Sequence, residues 1–322
     1  MRFLSFSLIF VCLSRSVPAE DKSFSVYLIG TGGPELTPTR AGAATLLSVE
    51  GQNLLFDVGR GALDGIYSCR IRPQDVTKIF LTHLHNDHIE GLPSLWITPW
   101  FLLGRQQRLQ VWGPPGTNEM IQGMRRMYVH DLEHRSNAIF RKEYLDIEVH
   151  EVAAGVAYSA GTVNVTAIPV EHHDGNPALG YRIEANGRAV FLTGDATYTD
   201  GLVNAGKGVD VLISNVAAGS QALERSGTID PILNKLMRPE QAAKIFLSTV
   251  PRLAVYSHIV KKDLPGAAGD SALIERTRKA GYTGPLQMGA DGMKITIGEK
   301  VQIAPAQPRQ SLPDFDSPRA VF

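Results

Sequence analysis

Six consecutive positions, His83-Leu84-His85-Asn86-Asp87-His88, hold three imidazoles and a carboxylate just after the apolar run Lys78-Ile79-Phe80-Leu81. Few folds can use so dense a set of ligand atoms. The apolar run reads as a short buried strand, and side chains two apart in an extended chain point the same way, so His83 and His85 can reach one ion together. Asp87 and His88 then face a second position, and a helix starting near Asn86 would set Asp87 at the positive end of its dipole. Imidazole with carboxylate suits Zn²⁺, yet one such cluster does not close a tetrahedral site, so further ligands must come from elsewhere in the chain. The competing reading is a solvated, His-rich turn or a set of satisfied core histidines. It fits poorly, because only nine His occur in 322 residues and three of them fall within these six positions.

The stretch His83-Leu84-His85-Asn86-Asp87-His88 resembles the signature of the metallo-β-lactamase superfamily. The resemblance runs from about Phe24 to Ile303. It implies an α/β fold, a four-layer αββα sandwich with a dinuclear metal site at one edge of the β-sandwich.

The second half of the chain offers the missing ligands. Val163 to Val170 is an apolar strand running into Glu171-His172-His173-Asp174, followed by Pro177-Ala178-Leu179-Gly180-Tyr181-Arg182-Ile183. This segment resembles ribonuclease Z-like members of the superfamily, where a ligand His precedes a Gly-Tyr-Arg strand. Measured back from Gly180 the match is His172, with His173 as the alternative. A turn and strand over Gly187 to Leu192 lead to Asp195, which matches the residue bridging both metals, and the strand Leu253 to Ser257 ends at His258.

The resemblance thus implies His83, His85 and His172 on one ion, Asp87, His88 and His258 on the other, and Asp195 between them. Asp87 and Asp195 would also be the carboxylates acting in catalysis. Two such ions activate water and polarise the oxygen under attack, which is two-metal hydrolysis. The expected cofactor is two Zn²⁺ per chain, because neutral imidazoles dominate one site. Asp57 follows the strand Leu54-Leu55-Phe56, and it either supports the metal site from behind or caps a helix after Gly61.

The two ends of the chain differ from its middle. Residues 1–19 combine a short charged start, an apolar run and Val17-Pro18-Ala19, which reads as a secretory signal peptide cut after Ala19. An uncleaved membrane anchor, or a lipoprotein built on Cys12, is the competing reading, but the apolar run is short for a span. The expectation is a periplasmic or secreted protein with a hydrolase domain over 20–304, no stable membrane insertion after cleavage, and a Pro-rich tail over 305–322. Export would leave Cys69 as the single thiol, unable to form an internal disulfide and read as a small buried hydrophobe near a helix end. Gly30-Thr31-Gly32-Gly33-Pro34 reads as a tight turn rather than a phosphate cradle, since no GxGxxG or GK[ST] pattern follows. His130 and His134 read as surface or rim residues rather than ligands.

Lys plus Arg and Asp plus Glu both number 32, so no global basic field draws the chain to nucleic acid. Two departures from the ribonuclease Z-like pattern also argue against a transfer-RNA nuclease. Only a short turn joins the Gly-Tyr-Arg strand to the strand before Asp195, where those enzymes insert an arm for tRNA. Leu236, in Asn234-Lys235-Leu236-Met237-Arg238-Pro239-Glu240, stands where they carry a His that protonates the leaving group. The expected partner is therefore a small-molecule ester, an aryl sulfate or phosphodiester, and not tRNA. A lactonase, with Tyr181 supporting the carbonyl oxygen, is the second reading and β-lactam hydrolysis the third. A non-catalytic metal- or ligand-binding protein is the alternative of another class, and a homodimer is left open.

Overall fold

The computed structural model describes residues 24–137 and 139–305; the signal-peptide reading and nearly all of the tail reading fall outside the described residues. Two mixed sheets stack face to face. The first has eight strands, ordered Val301–Ala304, Met293–Ile297, Phe24–Gly30, Ala44–Val49, Gln52–Phe56, Lys78–Phe80, Leu109–Gly113 and Ile147–Glu151. The second has seven, ordered Leu286–Met288, Leu253–Lys262, Val211–Gly219, Arg188–Leu192, Ala178–Ala185, Val163–Val170 and Gly155–Ala160.

Period-two alternation explains why helices cover both outer faces. In the first sheet Leu47, Leu54 and Phe56 point inward, toward Val165, Tyr181 and Val255 of the second. Their neighbours Leu46 and Leu55 point outward and pack with Ile66, Leu95, Trp96 and Ile121, which belong to the helices Ala62–Ser68, Leu92–Leu102 and Thr117–Met127. The second sheet does the same: Val190 and Ile213 face inward, while Phe191 and Leu212 meet Ala243 and Phe246 of the helix Pro239–Thr249. Strands apolar on both faces demand a covering layer on each side, and the result is the four-layer αββα sandwich. Each fully buried Leu, Ile or Phe contributes about 1.5–3 kcal/mol. Stacked rings knit the interior, with centroids 4.9 Å apart for Phe56 and Phe80 and 4.7 Å for Phe80 and Trp112.

Within each sheet the central strands run parallel. Gln52–Phe56 pairs parallel with Lys78–Phe80, and Arg188–Leu192 with Val211–Gly219, which pairs parallel with Leu253–Lys262. Their carboxyl ends therefore open on a common edge, the place where open α/β sheets bind ligands. Asp57, His83 and Asp195 all follow such ends.

Cys69 closes the helix Ala62–Ser68 and is half-buried. Burial, with help from Asp291, pushes its thiol up to about 11, so thiolate is scarce at neutral pH and the residue behaves as packing. Among the described residues no helix is long and apolar enough to cross a membrane.

Candidate metal centre

The motif strand ends at Phe80, and Thr82 begins the site. Asp57 lies behind it with φ 59°, a left-handed conformation that turns its carboxylate back under the motif. Its Oδ1 accepts the Thr82 backbone N–H at 2.8 Å, and Oδ2 accepts the Thr82 hydroxyl at 2.9 Å and His88 Nδ1 at 2.8 Å. A carboxylate only accepts, so His88 must carry a proton on Nδ1, which directs Nε2 toward the neighbouring ligand atoms. Of the two sequence readings for Asp57, support from behind is what the geometry displays, since Gly61 begins the following helix without a side-chain cap.

The helical turn Asn86–Ile89 follows at once, placing Asp87 and His88 on one buried face. His83 is fully buried, and its Nε2 lies 3.0 Å from His85 Nδ1. From the other sheet His172 Nε2 comes within 3.3 Å of the same His85 nitrogen. His172 is oriented as His88 is, because its Nδ1 donates to the Lys235 carbonyl at 2.8 Å. The second cluster joins His258 Nε2 to Asp87 Oδ2 at 3.1 Å, and Asp195 lies between the two clusters, 3.5 Å from His88 Nε2 and 3.8 Å from His172 Nε2. All seven residues singled out in the sequence thus meet at one edge. Their donor atoms group as His83, His85 and His172, as His83, His88 and Asp195, and as Asp87, His88 and His258.

His172 and His173 part company here. His172 is 1% exposed and inside the cluster, whereas His173 is exposed with φ 48°. Gly175 makes this placement feasible, since a Cβ there would lie 2.0 Å from the His172 ring. Gly175→Ala is expected to push the ring aside, lowering bound Zn²⁺ per chain and costing about 1–3 kcal/mol of stability as an overpacked site does. Elemental analysis with thermal melts checks both. His130 and His134 are exposed and stack 4.2 Å apart on the helix Val129–Arg135. Tyr181, expected to support a carbonyl oxygen, is fully buried and donates its hydroxyl to the Leu81 carbonyl at 2.8 Å, so it is not free for that role.

The electrostatics favour cations. Burial alone would disfavour ionised Asp195, but the His258 and His88 imidazoles outweigh it and hold the carboxyl well below the usual carboxylate range. Burial holds His83 well below the usual imidazole range, with His88 adding to the effect, and it lowers His172 likewise. Burial opposes a charged His88 too, yet Asp57 and Asp195 outweigh it and raise the ring well above that range. His88 Nε2, Asp195 Oδ1 and His258 Nδ1 are buried without a well-aligned hydrogen bond, although Asp195 Oδ1 and His258 Nδ1 lie 3.1 Å apart. Each orphan of this kind costs about 1–3 kcal/mol unless something satisfies it. Three imidazole nitrogens converging around 3 Å cannot all carry protons, and a divalent ion fits where N–H groups would collide.

A family model described as the beta-lactamase superfamily domain matches residues 52–259. This chain belongs to the metallo-β-lactamase superfamily. It is a metal-dependent hydrolase of that superfamily. The ribonuclease Z of Mycolicibacterium gilvum (strain PYR-GCK) is 30% identical over 289 residues, 87% of this chain and 99% of that protein. The ribonuclease Z of Mycobacterium bovis is 34% identical over 194 residues, 59% of this chain and 69% of that protein. Among solved structures, a metallo-beta-lactamase fold protein from Bacillus subtilis has a TM-score of 0.67 at 17% identity, covering 85% of this chain and all of that one. The short form of human tRNase Z has a TM-score of 0.64 at 23% identity, covering 85% of this chain and 99% of that one. These two likenesses concern the fold.

The relatives correct the substrate expectation. The expected hydrolysis of small esters, whether aryl sulfates, phosphodiesters or lactones, and the exclusion of tRNA both give way, because relatives matching nearly the full length are named ribonuclease Z. The non-catalytic alternative gives way with them. The structure shows where the two sequence departures lie. The short turn Asn186-Gly187 lies at the far end of the strand Arg188–Leu192 from Asp195, a strand about 17 Å long at 3.3 Å per residue. Leu236 is 4% exposed and packs with Ala217, Ile229, Leu233 and Val260. It faces an apolar cluster and brings no proton donor to the rim.

Sequence reasoning passed over Thr82, Asn215 and the Lys235 carbonyl. Thr82 could have been read, as a hydroxyl directly before the first His; the other two act through contacts distant in sequence and leave no local signal.

Proposed function

We propose that this chain hydrolyses phosphodiester bonds in RNA, tRNA precursors being the leading substrate, at a centre holding two Zn²⁺ ions. His83, His85 and His172 would hold one ion, Asp87, His88 and His258 the other, with Asp195 reaching both. The observation that carries the reading is the convergence of these seven groups on one edge in a chain 30% identical to a ribonuclease Z along 289 residues.

When bound, such an ion pair supplies Lewis-acid polarisation of the phosphoryl oxygens and activation of water near neutral pH. The chain's own residues do the rest. Asp57 and the Lys235 carbonyl each hold an Nδ1, of His88 and of His172, and so direct each Nε2 toward the centre. Burial keeps His83 unprotonated, so it does not compete with a cation for its own lone pair. Asp195 stays ionised, which supplies negative charge between the two clusters and orients what binds there.

The experiment incubates zinc-loaded protein with a precursor tRNA carrying a 3′ extension and with an unstructured RNA oligomer, with and without chelator. The expected result is chelator-sensitive cleavage of the precursor. Intact RNA at full zinc occupancy would overturn the reading.

A further inference from the structure

The strand Val211–Gly219 is buried at every position, and one of its residues is a carboxamide. Asn215 is 3% exposed and uses its whole amide. Its Nδ2 donates to the Gly194 carbonyl at 2.9 Å and the Ala196 carbonyl at 3.0 Å, the two peptide oxygens flanking Asp195. Its Oδ1 accepts the Met237 backbone N–H at 2.9 Å. Two residues before Met237, the Lys235 carbonyl orients His172. One side chain therefore ties the turn bearing Asp195 to the segment that aims His172.

Asn215 also sits opposite a β-bulge. Ser214 pairs with Tyr256 and Val216 with Ile259, so Ser257 and His258 together oppose Asn215 alone. His258 takes φ 45° there. Bulges re-aim side chains next to active sites, and this one turns His258 out of the ladder. Asn215 thus holds the backbone on both sides of Asp195, braces the segment whose carbonyl orients the His172 ring, and stands opposite the bulge that carries His258.

We infer that Asn215 is a positioning residue that sets Asp195 and His172 relative to each other and thereby the zinc affinity of the centre. The chemistry demands an amide. Two donors must reach carbonyls on one side while an acceptor meets an N–H on the other, and no other side chain of this length offers that pattern. In Asn215→Asp a carboxylate would face two carbonyl oxygens, driving the Asp195 turn away. In Asn215→Ala a water can restore part of the bonding, because the residue lines a cavity of about 50 Å³ beneath His88, Asp195 and His258. The Ala217 N–H to Met237 carbonyl bond, 2.8 Å, keeps the Lys235–Met237 segment docked in both variants.

This inference rests on the metal-site reading above. The test titrates Zn²⁺ into chelator-stripped full-length protein by calorimetry and records the visible spectrum of the Co²⁺-loaded form. Asn215→Asp is expected to weaken zinc binding about 10–100-fold and to alter the Co²⁺ bands, with Asn215→Ala in between, since groups that orient metal ligands carry effects of that size. Should Asn215→Asp not fold, Asn215→Ala alone decides by the same readouts. Wild-type zinc affinity and spectrum in the folded variants, with only the melting of the stripped protein lowered, would overturn the positioning role. Failure of the wild type itself to bind zinc would instead overturn the metal-site reading.

Discussion

His83→Ala combined with His85→Ala is expected to abolish retention of the ion that His172 shares, and RNA hydrolysis with it, while leaving the sandwich folded. Both rings belong to the grouping that His172 completes, and His85 Nδ1 is the atom on which the other two converge. Apparent zinc-binding energies of about 10–16 kcal/mol, shared over four ligands, come to about 3 kcal/mol each. Losing two therefore weakens that ion's binding on the order of 10⁴-fold. The fold should survive, because the inner and outer cores lie away from the rim and His85 is only half-buried. Elemental analysis of the purified variant, with circular dichroism for folding, reads the outcome; an undiminished metal load would remove both residues from the centre.

Asp195→Asn should have the second-largest effect. The substitution keeps the shape and removes the negative charge that faces His88, His172 and His258 at once. RNA cleavage is expected to fall about 10²–10³-fold, the scale of losing one preorganised electrostatic group in a site closed to water. Stabilisation by zinc should shrink as well. For a wild type at a thousandfold excess over Kd that stabilisation is about 4 kcal/mol, and a variant that binds weakly forfeits most of it. Thermal melts of zinc-loaded and stripped protein, compared pairwise, measure the difference. An equal zinc-induced shift in variant and wild type would count against a bridging Asp195.

How far the sequence revealed this centre depended on how local the physical signal was. The motif from His83 to His88 is dense enough to be read alone, and the strand ends before Asp195 and His258 are short apolar runs with one polar terminus. His172 needed the register to Gly180, and its separation from His173 became plain only with Gly175 packed beneath the ring. The layers were legible from alternation, as at Leu46 and Leu47, which face different cores. Substrate class was not. Leu236 reads as a missing acid in a linear motif, yet its burial among Ile229, Leu233 and Val260 is a tertiary fact with no linear trace. Asn215 is the same kind of case: its partners stand about twenty residues away on either side, so its amide looks like an isolated polar residue in an apolar strand.

Whether these seven side chains form a two-ion centre that cleaves RNA is decided by a zinc titration of chelator-stripped wild-type protein with precursor tRNA present, following bound metal and cleaved RNA in the same samples. Cleavage should be absent in the stripped protein, rise with added zinc and level off at two ions per chain. Cleavage that persists in the stripped protein, or RNA left intact with two ions bound, would rule such a centre out.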